Sequence, residues 1–130
     1  MSDERLSAVH AVYEAFGRGE IDRIVELLRE TEWHETQGMP YGGIYTGAQA
    51  ILENVIGPIG SDVQGFSARP DELLPAGDDR VLVLGRYRGA GSAGEVDVPF
   101  AHLWTVRDGR LTTFVQYTDT HEFRRATTSG

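Results

Sequence analysis

The chain has 130 residues, a net charge of −8, 40% hydrophobic and 25% charged residues, and no cysteine. That length suits one domain over residues 1–130 with a single core, and the missing thiols exclude disulfides and thiolate metal sites. The negative charge argues against nucleic acid or anionic lipid as partner, because such surfaces repel it. No apolar run is long enough for a membrane span, and the acidic start (Met1, Ser2, Asp3, Glu4) lacks a signal-peptide pattern, so a cytoplasmic location is expected.

In chain order, Leu6, Val9, Tyr13 and Phe16 share one helical face, with Ser2 placed to cap ahead of an acidic first turn. Gly17 and Gly19 end that helix. Ile21, Ile24, Val25 and Leu28 mark a second helix, joined so closely that the two must pack together. Residues 31–36 are short, polar and aromatic, and read as a strand; residues 38–47 (GMPYGGIYTG) read as a loop. Ile51, Leu52, Val55 and Ile56 predict a third helix stopped by Gly57 and Pro58.

The second half changes period. Residues 63–69 and 71–76 read as extended segments bent at Pro70. Residues 80–88 (RVLVLGRYR) are a strand covered on both faces, with Val81, Val83, Gly85 and Tyr87 inward and Gly85 leaving cavity space. Residues 89–94 (GAGSAG) read as a flexible loop. Residues 95–107 and 110–118 make a hairpin closed at Asp108-Gly109. A tail from Asp119 holds a helical turn, with that aspartate either capping the turn or supplying an acid to the pocket, and Arg124 and Arg125 read as solvated. Helices first and a meander after predict an α+β domain, helices packed on one face of a strongly curved antiparallel sheet around a cavity.

The segments YEAFGRGEIDRIVELL (13–28), TEWHE (31–35), GMPYGGIYTGAQAI (38–51), DDRVLVLGRYRG (78–89), PFAHLWTVRDGRL (99–111) and FVQYTDT (114–120), in this order, resemble the SnoaL-like and ketosteroid-isomerase-like families of the nuclear-transport-factor-like superfamily. The resemblance covers nearly the whole chain. It implies a cone-shaped α+β barrel with a mixed-edge sheet and an apolar pocket, a small apolar organic ligand, no cofactor, and a homodimer through the outer sheet face. Its relatives include isomerases, polyketide cyclases, hydrolases and plain binding modules, so the fold alone does not choose a function.

In a strand, Trp33 and Glu35 share one face and Glu32 and His34 the other. These groups cannot converge on a metal, and none is expected. The resemblance places Glu35 at the general-base position; burial in an apolar pocket would raise its pKa and make it a better base. The plainer alternative is a rim glutamate facing water. The resemblance also puts Gln116 where cyclases carry an acid/base carboxylate. An amide can only orient a ligand there, and Phe114 and Thr118 share its face. Ala101 occupies the position of the oxyanion-hole acid, which argues against ketosteroid isomerisation. The resemblance puts the tyrosine position at Val12, with Tyr13 one residue on and Phe16 nearby; Tyr13 either lines the pocket or, by default for an aromatic at helical spacing, is a core contact. Tyr41 and Tyr45 either flap over the pocket or pin their own loop.

Placing Ala101 and Leu103 inward sends Phe100, His102 and Trp104 outward. That face is the more apolar one, so it must switch sides at a bulge near Pro99 or be covered by a second subunit, together with Leu82 and Leu84. The dimer is the favoured solution. Two functions stand: proton transfer or hydration on a carbonyl or cyclic compound with Glu35 as base, or a non-catalytic ligand-binding or accessory module.

Overall fold

The computed structural model describes residues 3–128. Helix α1 spans Glu4–Arg18. Asp3 is its N-cap, accepting from the Arg5 N–H at 2.9 Å; the capping role expected of Ser2 lies outside the described residues. Gly19, at φ 65°, closes the helix in the left-handed conformation that glycine takes without a Cβ clash. Val9, Val12, Tyr13 and Ala15 are buried at helical spacing. Helix α2 (Ile21–Leu27) packs on α1 and buries Ile24.

The sheet has six strands in the order β2-β1-β6-β5-β4-β3. They are β1 (Glu32–Glu35), β2 (Gly43–Thr46), β3 (Gln64–Ala76), β4 (Arg80–Gly91), β5 (Gly94–Arg107) and β6 (Arg110–Thr118). All neighbours are antiparallel except β1 and β6, so the sheet is mixed, and its edges β2 and β3 do not join. The architecture is therefore an α+β cone, open rather than a closed barrel. Part of the expected 38–47 loop is strand β2, paired to β1. β3 runs through Pro70, with its register broken between Pro70 and Glu72.

Pro58 does not stop the third helix. Helix α3 (Ala48–Ile51) passes through a π-helical turn (Leu52–Ile56) into α4 (Gly57–Asp62). The wider turn ahead resets the hydrogen-bond ladder, and Pro58 falls in the first turn of α4, where a missing N–H is tolerated. The tail is a full helix, α5 (Thr120–Thr127), capped by Asp119, whose side chain accepts from Glu122 N–H. Arg124 is not simply solvated: it donates to the carbonyls of Gly38 and Met39 and ties α5 to that loop.

Residues 89–94 are the end of a β-ladder, with Gly91 opposite Gly94 and only Ser92 and Ala93 in the turn. Gly91 serves close approach, since a Cβ there would stand 2.2 Å from the Ala126 carbonyl oxygen. Ala93 N–H and the Ser92 hydroxyl donate to the carbonyls of Ala126 and Thr127 of α5, both at 2.9 Å.

This hairpin decides the facing of β5. Its register pairs Val81 with Trp104, Val83 with His102, Gly85 with Phe100 and Tyr87 with Val98. Directly opposed residues of an antiparallel pair share a face. Inward Val83 therefore requires inward His102, and the expected combination of Val83 inside with His102 outside is impossible in this register. Phe100, His102 and Trp104 are all buried within their own chain and do not form an outer patch. Ala101 and Leu103, opposite Leu84 and Leu82, face outward. The space at Gly85 is not cavity, since a Cβ there would lie 2.1 Å from the Arg69 carbonyl and 2.6 Å from the Phe100 ring.

At the other end of β5, Asp108 and Gly109 both have positive φ, 51° and 74°, as the tight hairpin turn demands. Among the described residues, no helix is long and apolar enough to cross a membrane.

Candidate functional site

The inner face of the sheet and the helices enclose a cavity of about 350 Å³. β1 contributes Trp33 and Glu35; β6 contributes Phe114 and Gln116; β5 contributes His102 and Trp104; β4 contributes Tyr87. Tyr13 and Phe16 reach in from α1, and Val55, Ile56 and Ile59 from the π turn and α4. Gly17, Gly19, Gly60 and Gly65 also border it, and a Cβ on any of these would meet nothing within 4 Å, so this is its open side.

Alternation along β1 sorts its polar groups. Glu35 is 4% exposed, while Glu32 and His34 lie on the opposite face and bond to each other at 2.6 Å. Trp33 stacks on Phe114 at 3.7 Å between ring centroids, and its indole N–H donates to Glu35 Oε1 at 2.9 Å. Glu35 Oε2 is buried with no protein partner. Burial pushes the Glu35 carboxyl up to about 7; the Trp33 donor and the nearby Gln116 amide offset only part of that shift.

Gln116 is held by its neighbours. Its Oε1 accepts from Thr36 N–H at 3.0 Å, which leaves its Nε2 to donate to the Tyr87 hydroxyl at 2.7 Å. Tyr87 in turn meets His102 Nε2 at 2.6 Å, and Tyr13 meets His102 Nδ1 at 2.5 Å. Trp104 Nε1–H donates to the Tyr13 hydroxyl at 2.9 Å. Burial drives the His102 pKa well below its ordinary value, so its imidazole is neutral. Burial also raises both tyrosines, and the Glu35 charge adds to the rise at Tyr87.

Several expected lining residues stand elsewhere. Val12 and Val83 are buried in the core beside the cavity but do not line it. Ala101 and Leu103 are on the outer face, so the absence of an acid at Ala101 says nothing about the cavity; His102 occupies the inward position. Thr118 spends its hydroxyl on the Pro99 carbonyl at 2.8 Å. Tyr41 donates to Asp62 at 2.8 Å and Tyr45 to the Tyr41 carbonyl at 2.9 Å, so both pin their loop and neither reaches the cavity. Asp119 caps α5 and does not line the cavity.

The model of the SnoaL-like domain matches residues 9–114. The chain belongs to the SnoaL-like family. Among solved structures, this SnoaL-like chain is similar to an NTF2-like protein from Burkholderia thailandensis E264, with 30% identity over 99% of this chain and 100% of the other, and a TM-score of 0.89. It is also similar to TerC, co-crystallised with polyporic acid: 28% identity over 95% of this chain and 98% of TerC, TM-score 0.85. A putative SnoaL-like polyketide cyclase from Shewanella denitrificans OS-217 shares the fold at 13% identity over 94% of this chain and 95% of the other, TM-score 0.75. No curated protein matches.

Sequence reasoning missed His102 and Trp104 as cavity residues of this SnoaL-like fold. The signal was present in the alternation of Val96, Val98, Phe100, His102, Trp104 and Val106, all of them buried. An apolar period-2 face belongs inward unless something else covers it.

Proposed function

We propose that the cavity binds a small, largely apolar ring compound bearing a carbonyl, and that Glu35 acts on it as a general base. The observation that carries this reading is Glu35 Oε2, a buried carboxylate oxygen with no protein partner, in a cavity walled by aromatic rings. A buried polar atom left unpaired is costly, so the site is suited to an occupant that satisfies it. A carboxyl near pKa 7 has the proton affinity that general-base work at neutral pH needs. The likeness to TerC, co-crystallised with polyporic acid, supports an organic ligand of ring type. Gln116 commits its carbonyl to Thr36 and one amide N–H to Tyr87, which leaves its second N–H for Glu35 or a ligand oxygen.

The test uses the protein's own fluorescence. Trp33 and Trp104 are the two tryptophans of the chain and both line the cavity. Titration with polyporic acid and a panel of ring ketones reports occupancy by quenching. Any compound that quenches is then incubated with the protein in D₂O. The enzyme reading requires that Glu35→Gln retains affinity and loses proton exchange at the bound compound. Undiminished exchange in that variant would leave a binding module without a Glu35 base. That alternative has one observation behind it: among the cavity's lining residues, no second carboxylate stands by as an acid.

The same reading seats a second copy of the chain on the outer sheet face. Leu82 and Leu84 remain there, joined by Leu103 from β5 and by exposed Leu74 and Tyr117 from β3 and β6. These apolar side chains span adjacent strands, with Leu82, Leu84 and Leu103 half-buried and Leu74 and Tyr117 exposed. Leu103→Glu converts a dimer to a monomer in light scattering; an unchanged mass in the variant counts against this face.

A further inference from the structure

The chain Trp104–Tyr13–His102–Tyr87–Gln116 does not close its own proton count. Trp104 and Gln116 donate inward from the two ends, to Tyr13 and Tyr87. Between the tyrosines sits one imidazole, bonded to a hydroxyl at each nitrogen. His102 is buried, and none of its hydrogen bonds goes to a carboxylate. A neutral imidazole has one N–H and one bare nitrogen. If Nδ1 carries the hydrogen, it donates to Tyr13, Tyr87 donates to Nε2, and the Tyr13 hydroxyl hydrogen has no protein acceptor. If Nε2 carries it, the pattern reverses and the Tyr87 hydrogen is left over. Each tautomer leaves one tyrosyl proton unpaired, and both tyrosines line the cavity. The other unsatisfied polar atom on that wall is Glu35 Oε2, an acceptor that makes no direct bond with either tyrosine.

We propose that His102 is a tautomeric switch that lets either Tyr13 or Tyr87 present a hydroxyl proton to an oxygen of the bound ligand, depending on where that oxygen lies. This rests on the reading of the cavity as a carbonyl-ligand site. The two orphan groups then complement one ligand: a ring ketone whose oxygen accepts from a tyrosine while an adjacent C–H faces Glu35. In the exchange step the carboxylate takes that proton, the C–H electron pair becomes the enolate C=C bond, and the carbonyl π pair moves onto the oxygen that the tyrosine holds. The carboxyl exchanges that proton for a deuteron of the solvent D₂O and delivers the deuteron to carbon, and the oxygen pair returns to restore the C=O. His102 touches no reacting atom and is a positioning residue.

The test uses 2-tetralone as a ring ketone and tetralin as the same ring without oxygen. Tetralin is expected to quench the tryptophans with roughly tenfold lower affinity. Equal affinity, or no quenching by the ketone, overturns the assignment of the ligand. Infrared spectra of ¹³C-carbonyl 2-tetralone bound to wild type are expected to show a stretch at lower wavenumber than in hexane. Tyr13→Phe and Tyr87→Phe each retain that shift, because the remaining hydroxyl takes over, whereas the double variant loses it. Complete loss in one single variant means one fixed donor and overturns the switch. Should the double variant not fold, side-chain ¹⁵N NMR of wild-type His102 decides. One protonated and one bare nitrogen, their populations changing on ketone binding, support the switch; two protonated nitrogens, or populations that ignore the ketone, overturn it. Glu35→Gln separates this proposal from the general-base reading, since it is expected to abolish deuterium exchange at the α-carbon while leaving the carbonyl shift intact. Exchange that survives with the shift intact counts against Glu35 as base and leaves the switch standing.

Discussion

The two faces of β1 carry nearly the same chemistry and use it differently. Glu35 and Glu32 are three residues apart on one four-residue strand. Glu35 points among aromatic rings, keeps one hydrogen bond from Trp33 and has its pKa raised to about 7. Glu32 points outward and meets His34 in an ion-pair geometry open to solvent. A carboxyl group's function here is set by which side of the pleat it occupies, because desolvation acts on one face only.

The sharpest way to break this comparison is to remove the charge on each face. Glu35→Gln is expected to lower turnover of a compound found by fluorescence at least about 10²-fold, the range of a lost general base, with affinity held within a few-fold. Steady-state kinetics on both proteins checks it.

The next effect is on stability and has a definite sign. The folded chain holds the Glu35 proton up to about pH 7, whereas the unfolded chain releases it in the ordinary carboxyl range. Stability from this group is therefore fully present in acid and is lost as pH rises to about 7. Above that pH, Glu35→Gln is expected to be more stable than wild type by about 3 kcal/mol, the shift converted at about 1.4 kcal/mol per unit. His102 acts oppositely: its depressed pKa gives stability at neutral pH that is lost as pH falls below the ordinary imidazole value. Urea melts of the two proteins across pH 4 to 8 should therefore show the variant gaining stability up to the ordinary imidazole value and levelling off above it, without the counter-slope of the wild type.

A smaller effect sharpens the comparison. Trp33→Phe keeps the stack on Phe114 and deletes the donor to Glu35. The carboxyl pKa, followed by ¹³C NMR, is expected to rise further, with a stability loss of about 1 kcal/mol in neutral buffer. The smallest change belongs to the outer face: Glu32→Gln breaks an exposed pair and should cost under about 0.5 kcal/mol in the same melts. A larger cost there, or a Glu35 pKa in the ordinary carboxyl range, would erase the distinction between the two faces.

Most of the fold was legible in the letters because its signals are local. Helical spacing in Leu6 to Phe16, the unbroken apolar centre of residues 80–88 and the Asp108-Gly109 turn each act over a few residues. Two local signals misled. Pro58 reads as a stop, but the π turn ahead of it gives the proline a place where its missing N–H does no harm. GAGSAG reads as flexible, but Gly91 is small so that the α5 carbonyls can come close.

The letters alone determined that Trp33 and Glu35 share a face, that Phe114 and Gln116 share another, and that Val96, Val98, Phe100, His102, Trp104 and Val106 share one face of β5, because side-chain direction along one strand is a property of that strand. Which side of β5 meets the cavity was decided only by tertiary structure. That choice depends on the register of the Ser92-Ala93 hairpin against Val83 and Tyr87, and one residue of slip exchanges His102 and Trp104 for Ala101 and Leu103. The pairing brings Tyr13, some ninety positions away in the chain, onto His102, because hydrogen bonds and burial join groups by distance in space and not by order in sequence.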